Sequence, residues 1–119
     1  MRRATTLVLA GAVAVLAAAP AMAGGGAPQK KSVVLQDDFF QPGKLTVNRG
    51  STITWRWPDE ASDVHDVNLA KGPRGAKPFH SEPGAAGYTF KRRLTVPGTY
   101  RIICTLHPEE MHLTVNVRR

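Results

Sequence analysis

The stretch Cys104-Thr105-Leu106-His107-Pro108-Glu109-Glu110-Met111 puts a thiol, an imidazole and a thioether into one short segment, and Cys104 is the only cysteine in the chain. A further imidazole, His65, stands upstream within Asp63-Val64-His65-Asp66-Val67. Two imidazoles, one thiolate and a weak thioether are the donor set of a blue-copper site that passes single electrons. Thiolate and thioether are soft donors that suit cuprous ion, while imidazole serves both copper oxidation states. A site that compromises between the two preferred geometries changes little when an electron arrives or leaves.

Each of these residues has a plainer reading. A lone cysteine has no internal disulfide partner, so Cys104 is either an inert buried thiol or a metal-bound thiolate. Its place three residues before a histidine, after the strand-like Tyr100-Arg101-Ile102-Ile103, favours the metal. His65 alone reads as a structural histidine; beside the Cys104–Met111 loop it supplies the second imidazole. Met111 either closes the site along its axis or fills the core, because it shares parity with inward residues of the next strand. His80 and His112 default to surface residues, with a weaker second metal site as their alternative. Asp37-Asp38 reads as a solvated turn, with cation binding as its alternative, and Glu109-Glu110 as a pair beside the loop that is simply exposed or repels an acidic partner. A dinuclear copper centre needs two cysteines, and a multicopper oxidase needs more than the four histidines present. Structural zinc takes four strong ligands, which a thioether is not. A Cys104–His107 nucleophile pair would sit on a strand-end loop with Met111 beside it, a poor setting for covalent catalysis.

The segment Pro97-Gly98-Thr99-Tyr100-Arg101-Ile102-Ile103-Cys104, followed by His107, Met111 and Val115-Asn116-Val117, resembles the end of a cupredoxin domain of the plastocyanin, amicyanin and pseudoazurin group. Phe40-Gln41-Pro42-Gly43-Lys44-Leu45-Thr46-Val47 and Gly50-Ser51-Thr52-Ile53-Thr54-Trp55 are similar to that family's early strands, ahead of its first histidine at His65. The resemblance extends over residues 31 to 118 and rests on the ordered ligand series. It implies an all-β Greek-key β-sandwich of about seven to eight strands. It also implies one copper ion per chain, held by His65, Cys104, His107 and Met111. The chain departs from the family's common pattern in two places. Three residues separate His107 from Met111, where two, or four to five, are common, and Leu113 stands where glycine is frequent. In the family the residue after the first histidine is often Asn, tying its loop to the residue after the cysteine; here it is Asp66, facing Thr105.

The elements that must position these side chains read as strands. Residues 32–36, 44–47, 52–57, 64–69, 88–94, 100–104 and 113–117 are rich in branched and aromatic residues. Pro42-Gly43, Arg49-Gly50, Pro58-Asp59, Pro83-Gly84 and Pro97-Gly98 punctuate them as turns. Alternation puts Ile53, Trp55 and Trp57 on one face and Thr52, Thr54 and Arg56 on the other. Tyr100, Ile102 and Cys104 share parity, as do Met111, Leu113, Val115 and Val117. Residues 70–87, with three prolines, read as a long surface excursion.

Arg2 and Arg3, the apolar run at residues 7–19 and Pro20-Ala21-Met22-Ala23 read as a secretory signal over residues 1–23, too short to span a bilayer, with a retained membrane anchor as the alternative. A flexible leader, residues 24–30, precedes the domain at 31–119. Without the signal's two arginines, fourteen basic residues face nine acidic ones, a balance of +5. The basic residues are scattered, as at Lys30-Lys31, Lys71, Arg74, Lys77, Lys91-Arg92-Arg93 and Arg118-Arg119, without interleaved aromatics. That pattern points away from nucleic acid and toward either a protein partner with an acidic docking surface or a simple solubility role. The expectation is an exported periplasmic or extracellular monomer, with no stable membrane insertion and no enzymatic turnover. It would carry single electrons between redox protein partners, leaving through an exposed apolar edge at His107, Leu106 and Pro108. The alternatives are a copper storage or delivery protein of the cell envelope, or a cupredoxin-fold interaction module.

Overall fold

A computed structural model describes residues 10–13 and 25–119, so the segment read as an export signal lies mostly outside the described residues. Within them every regular element is a strand: β1 (Lys30–Gln36), β2 (Phe39–Gln41), β3 (Lys44–Asn48), β4 (Ser51–Arg56), β5 (Asn68–Lys71), β6 (Thr89–Leu94), β7 (Gly98–Ile103) and β8 (His112–Arg118). None of the described residues forms a helix long and apolar enough to cross a membrane.

Period-two patterning explains why. In β4, Ser51, Ile53 and Trp55 are buried while Thr52, Thr54 and Arg56 are not. In β8, Leu113, Val115 and Val117 are buried and the residues between them are not. A strand with one apolar face must lay it against another layer, and the stable answer for a run of such strands is two packed sheets. The sheets have the orders β2-β1-β4-β6 and β3-β8-β7-β5. Pairing is parallel for β1 with β4 and for β3 with β8, and antiparallel elsewhere. From β2 to β7 each successive strand lies in the opposite sheet, giving the Greek-key sandwich expected of the sequence. The core between the sheets includes Val33, Leu35, Val47, Ile53, Trp55, Ile102 and Leu113, all fully buried.

Three local features differ from the sequence reading. A short strand, β2, follows the Asp37-Asp38 turn and pairs back on β1, with Phe40 buried. The strand read at residues 64–69 begins only at Asn68, because the donors before it are engaged elsewhere: His65 exchanges both backbone hydrogen bonds with Gly84, and the Val67 amide donates to Ser81 Oγ. The excursion at 70–87 is not all surface: Phe79 and Ser81 are buried, and His80 forms an isolated bridge with Asn68. Phe79 lies beside Trp55, their ring centroids 5.9 Å apart. The leader is anchored at its end, since Asn48 Nδ2 donates to the Ala27 carbonyl and the Gln29 amide to Ser51 Oγ.

Candidate metal centre

The β7–β8 connection builds one wall of the site. Alternation along β7 turns Tyr100, Ile102 and then Cys104 into the core, so the thiol is fully buried at the strand's end. The Cys104 amide donates to the Met111 carbonyl at 3.0 Å, closing the loop at its base. Above that closure the His107 carbonyl accepts from both Glu110 and Met111 amides, at 3.3 and 2.9 Å. Three intervening residues therefore make a single helix-like turn, which is the structural meaning of the unusual His107–Met111 spacing. Met111 ends it fully buried, immediately before β8.

The opposite wall is the β4–β5 connection. Its backbone is pinned by Gly84 on one side and by Trp57, whose indole N–H donates to the His65 carbonyl at 3.0 Å. The next residue locks this wall to the first. Asp66 Oδ1 accepts from the Thr105 amide at 2.6 Å, and Asp66 Oδ2 accepts from the Thr105 hydroxyl. The Asp66 amide in turn points at Cys104 Sγ, 3.5 Å away. The expected Asp66–Thr105 tether is thus present and doubled.

These walls bring the donors together. Cys104 Sγ lies 3.9 Å from His65 Nδ1 and 3.7 Å from His107 Nδ1, and the three donor atoms lie within 4.8 Å of one another. A first-row divalent ion, with bonds of ~2.0 Å to nitrogen and ~2.3 Å to sulfur, would span each of those sulfur–nitrogen separations. The donor set and these separations fit a His2Cys copper centre. His80 and His112 are exposed and stay outside it.

Both imidazoles also have carboxylates on their far nitrogens. His65 Nε2 lies 3.2 Å from Asp37 Oδ1, and His107 Nε2 lies 3.3 Å from Asp38 and 3.1 Å from Asp63. A neutral ring with its proton on Nε2 donates to the carboxylate and leaves the Nδ1 lone pair facing the thiol, the arrangement that orients metal-binding histidines. Ser62 Oγ and the Asp63 amide also donate to Asp37, joining the β1–β2 turn to the His65 loop. The Ser62 hydroxyl first, and His65 second, hold the Asp37 carboxyl below its ordinary value. Asp37-Asp38 is therefore more than a solvated turn. The available signal was the pair of acids between two strands, where Asp tolerates the left-handed conformation that Asp38 adopts at φ 71°.

Burial pushes the Cys104 thiol above its ordinary value; the Asp66 charge adds to this, and the surrounding amides oppose it. In the metal-free protein the sulfur therefore holds its proton, which an incoming metal must displace. Charge around the site is one-sided. All nine acidic residues of the chain lie in its loops: Asp37 and Asp38, then Asp59, Glu60, Asp63 and Asp66, with Glu82, Glu109 and Glu110.

Comparison with known proteins gives the same picture. The profile of the family described as copper binding proteins, plastocyanin/azurin family, matches residues 30–118. Amicyanin-alpha of Methylorubrum extorquens is 30% identical over 105 residues, covering 88% of this chain and 81% of its own. An amicyanin variant solved in the reduced state superposes with TM-score 0.63 at 27% identity, covering 74% of this chain and 81% of its own. A pseudoazurin from Sinorhizobium meliloti shares the fold at TM-score 0.63 and 20% identity, covering 75% of this chain and 73% of its own.

Proposed function

We propose that this chain, which belongs to the plastocyanin/azurin family of copper binding proteins, is an exported one-electron carrier that works between redox protein partners. Copper is its cofactor, and the residues that would hold it are His65, Cys104, His107 and Met111. The observation that carries the reading is how the donors are covered. His65, Cys104 and Met111 are fully buried, and His107 is the ligand whose side chain reaches the surface, with 22% of its area exposed. Donors covered in this way would shield a bound metal from substrate, while the exposed imidazole gives an electron an edge through which to leave. Copper supplies the one-electron couple when bound.

The protein's own residues do the rest. Asp37, Asp38 and Asp63 orient the rings, Asp66 and Thr105 join the two walls, and the Cys104–Met111 closure keeps water from the thiol. Walls held before the metal arrives lower the reorganisation that accompanies each electron. Export by residues 1–23 and a monomeric state complete the proposal. A partner with an acidic surface, as the net charge suggested, would meet the basic body of the sandwich away from the metal.

The test is to add cupric ion to the purified protein and record visible and paramagnetic-resonance spectra. An intense thiolate-to-copper band with reversible bleaching on reduction is expected, and Cys104→Ser should abolish the band while the sandwich stays folded. A band that survives in Cys104→Ser, or copper that binds without cycling, would overturn the reading.

A further inference from the structure

The chain is basic overall, yet its acidic and basic residues are segregated along the sequence. The stretches 35–43, 57–70, 78–90 and 102–117 contain all nine acidic residues and not one Lys or Arg. Contacts place four of these acids at one end of the sandwich, and the β7–β8 loop places two more there. Asp37 reaches His65, Asp38 and Asp63 both reach His107, and Asp66 binds Thr105. Glu109 and Glu110 occupy the turn between His107 and Met111. The opposite end is basic: Arg49, Arg93 and Arg119 line one hollow there with Gly50 and Thr95. At the metal end the exposed side chains between the acids include Phe39, Val64 and Leu106.

From this layout we infer that the protein docks, by its metal end, a redox protein whose contact surface is basic, opposite in sign to the partner that net charge selects. The inference rests on the electron-carrier reading and names the chemistry of the partner at the proposed exit. Distance decides which charge a partner feels. The six residues of β4 separate the two ends by ~20 Å. At physiological ionic strength fields decay over about 8 Å, so the basic end is screened more than two decay lengths away. A partner approaching His107 closely enough to exchange an electron meets the acids at contact range. Apolar side chains among them supply the dry area that a short-lived complex needs, and the acids supply steering and orientation.

Two measurements on the copper-loaded, reduced protein test this. In the first, amide NMR signals are recorded with two redox-inert paramagnetic ions, hexaamminechromium(III) and hexacyanochromate(III), at 0.1 M salt. The cation should broaden residues 37–39, 62–66 and 105–110, and the anion should broaden residues 49–50 and 93–95. Glu109→Gln with Glu110→Gln should weaken the cation's effect at 105–110 about twofold. In the second, oxidation by a basic c-type cytochrome should slow about threefold between 0.1 and 0.5 M salt. Broadening of the site loops by the anion, no broadening there by the cation, or cytochrome oxidation that accelerates with salt would overturn the inference. A protein that fails to cycle between copper states brings down the electron-carrier reading and this inference with it, a result distinct from a charge map of the wrong sign.

Discussion

Replacing Asp66 with Asn removes one negative charge beside the metal while leaving an oxygen to accept from the Thr105 amide. The electrostatic effect is bounded by the geometry. The Asp66 amide nitrogen is 3.5 Å from Cys104 Sγ. A metal bonded to that sulfur lies ~2.3 Å beyond it, and a carboxylate reaches about 4 Å from its own amide nitrogen. The charge is therefore at most roughly 10 Å from the metal, and at an effective dielectric of about 20 it interacts with one unit of copper charge by ~1.7 kcal/mol. Because the charge favours the cupric state, its loss should raise the potential by at least about 70 mV. Stability should fall by about 2 kcal/mol, because two charge-assisted bonds to Thr105 become neutral ones. The assay is a spectroelectrochemical titration of the copper-loaded protein, with urea unfolding of the metal-free form beside it. Asp66→Ala, which removes tether as well as charge, separates the two effects through its larger stability loss. A potential that stays put or falls in Asp66→Asn refutes the charge argument.

Three further outcomes are expected. Met111→Leu should keep copper bound and raise the potential, because a donor to cupric ion is lost; an unchanged potential and spectrum would make Met111 core filling alone. Trp57→Phe should cost about 2 kcal/mol in urea unfolding, since the indole bond to the His65 carbonyl is lost and the buried volume shrinks; full stability would show that Gly84 alone holds that carbonyl. Copper uptake should release the Cys104 proton. With the thiol shifted upward by burial, it is protonated at neutral pH, so apparent affinity should rise about tenfold per pH unit until the thiol ionises by itself. Calorimetry in buffers of different ionisation heat measures the proton, and a pH-independent affinity between pH 7 and 8 would contradict the assignment of the sulfur.

Much of this protein is legible in one dimension because the physics is local. Strand alternation in β4, β7 and β8 is a period-two pattern, and it already pointed Trp55, Ile102, Cys104 and Leu113 inward before any packing was known. Cys104, His107 and Met111 fall in one short loop, so their proximity follows from chain connectivity. His65 needed the fold. It stands 39 residues from Cys104, and the pairing of β5 with β7 brings their neighbourhoods together. The ends of local patterns were also decided tertiarily. Residues 64–67 look like strand, but their backbone donors go to the Asp63 carboxylate, Gly84, the thiol and Ser81, so regular pairing starts only at Asn68. Least legible were Asp37, Asp38 and Asp63. An exposed acid carries no periodic cue, and its role depends on what faces it across a turn. Likewise, net charge is a sum over residues, whereas the sign a partner meets depends on where the folded chain puts them. Loops converge at the metal end and carry Asp37, Asp38, Asp63, Asp66, Glu109 and Glu110 there, an arrangement set by chain topology.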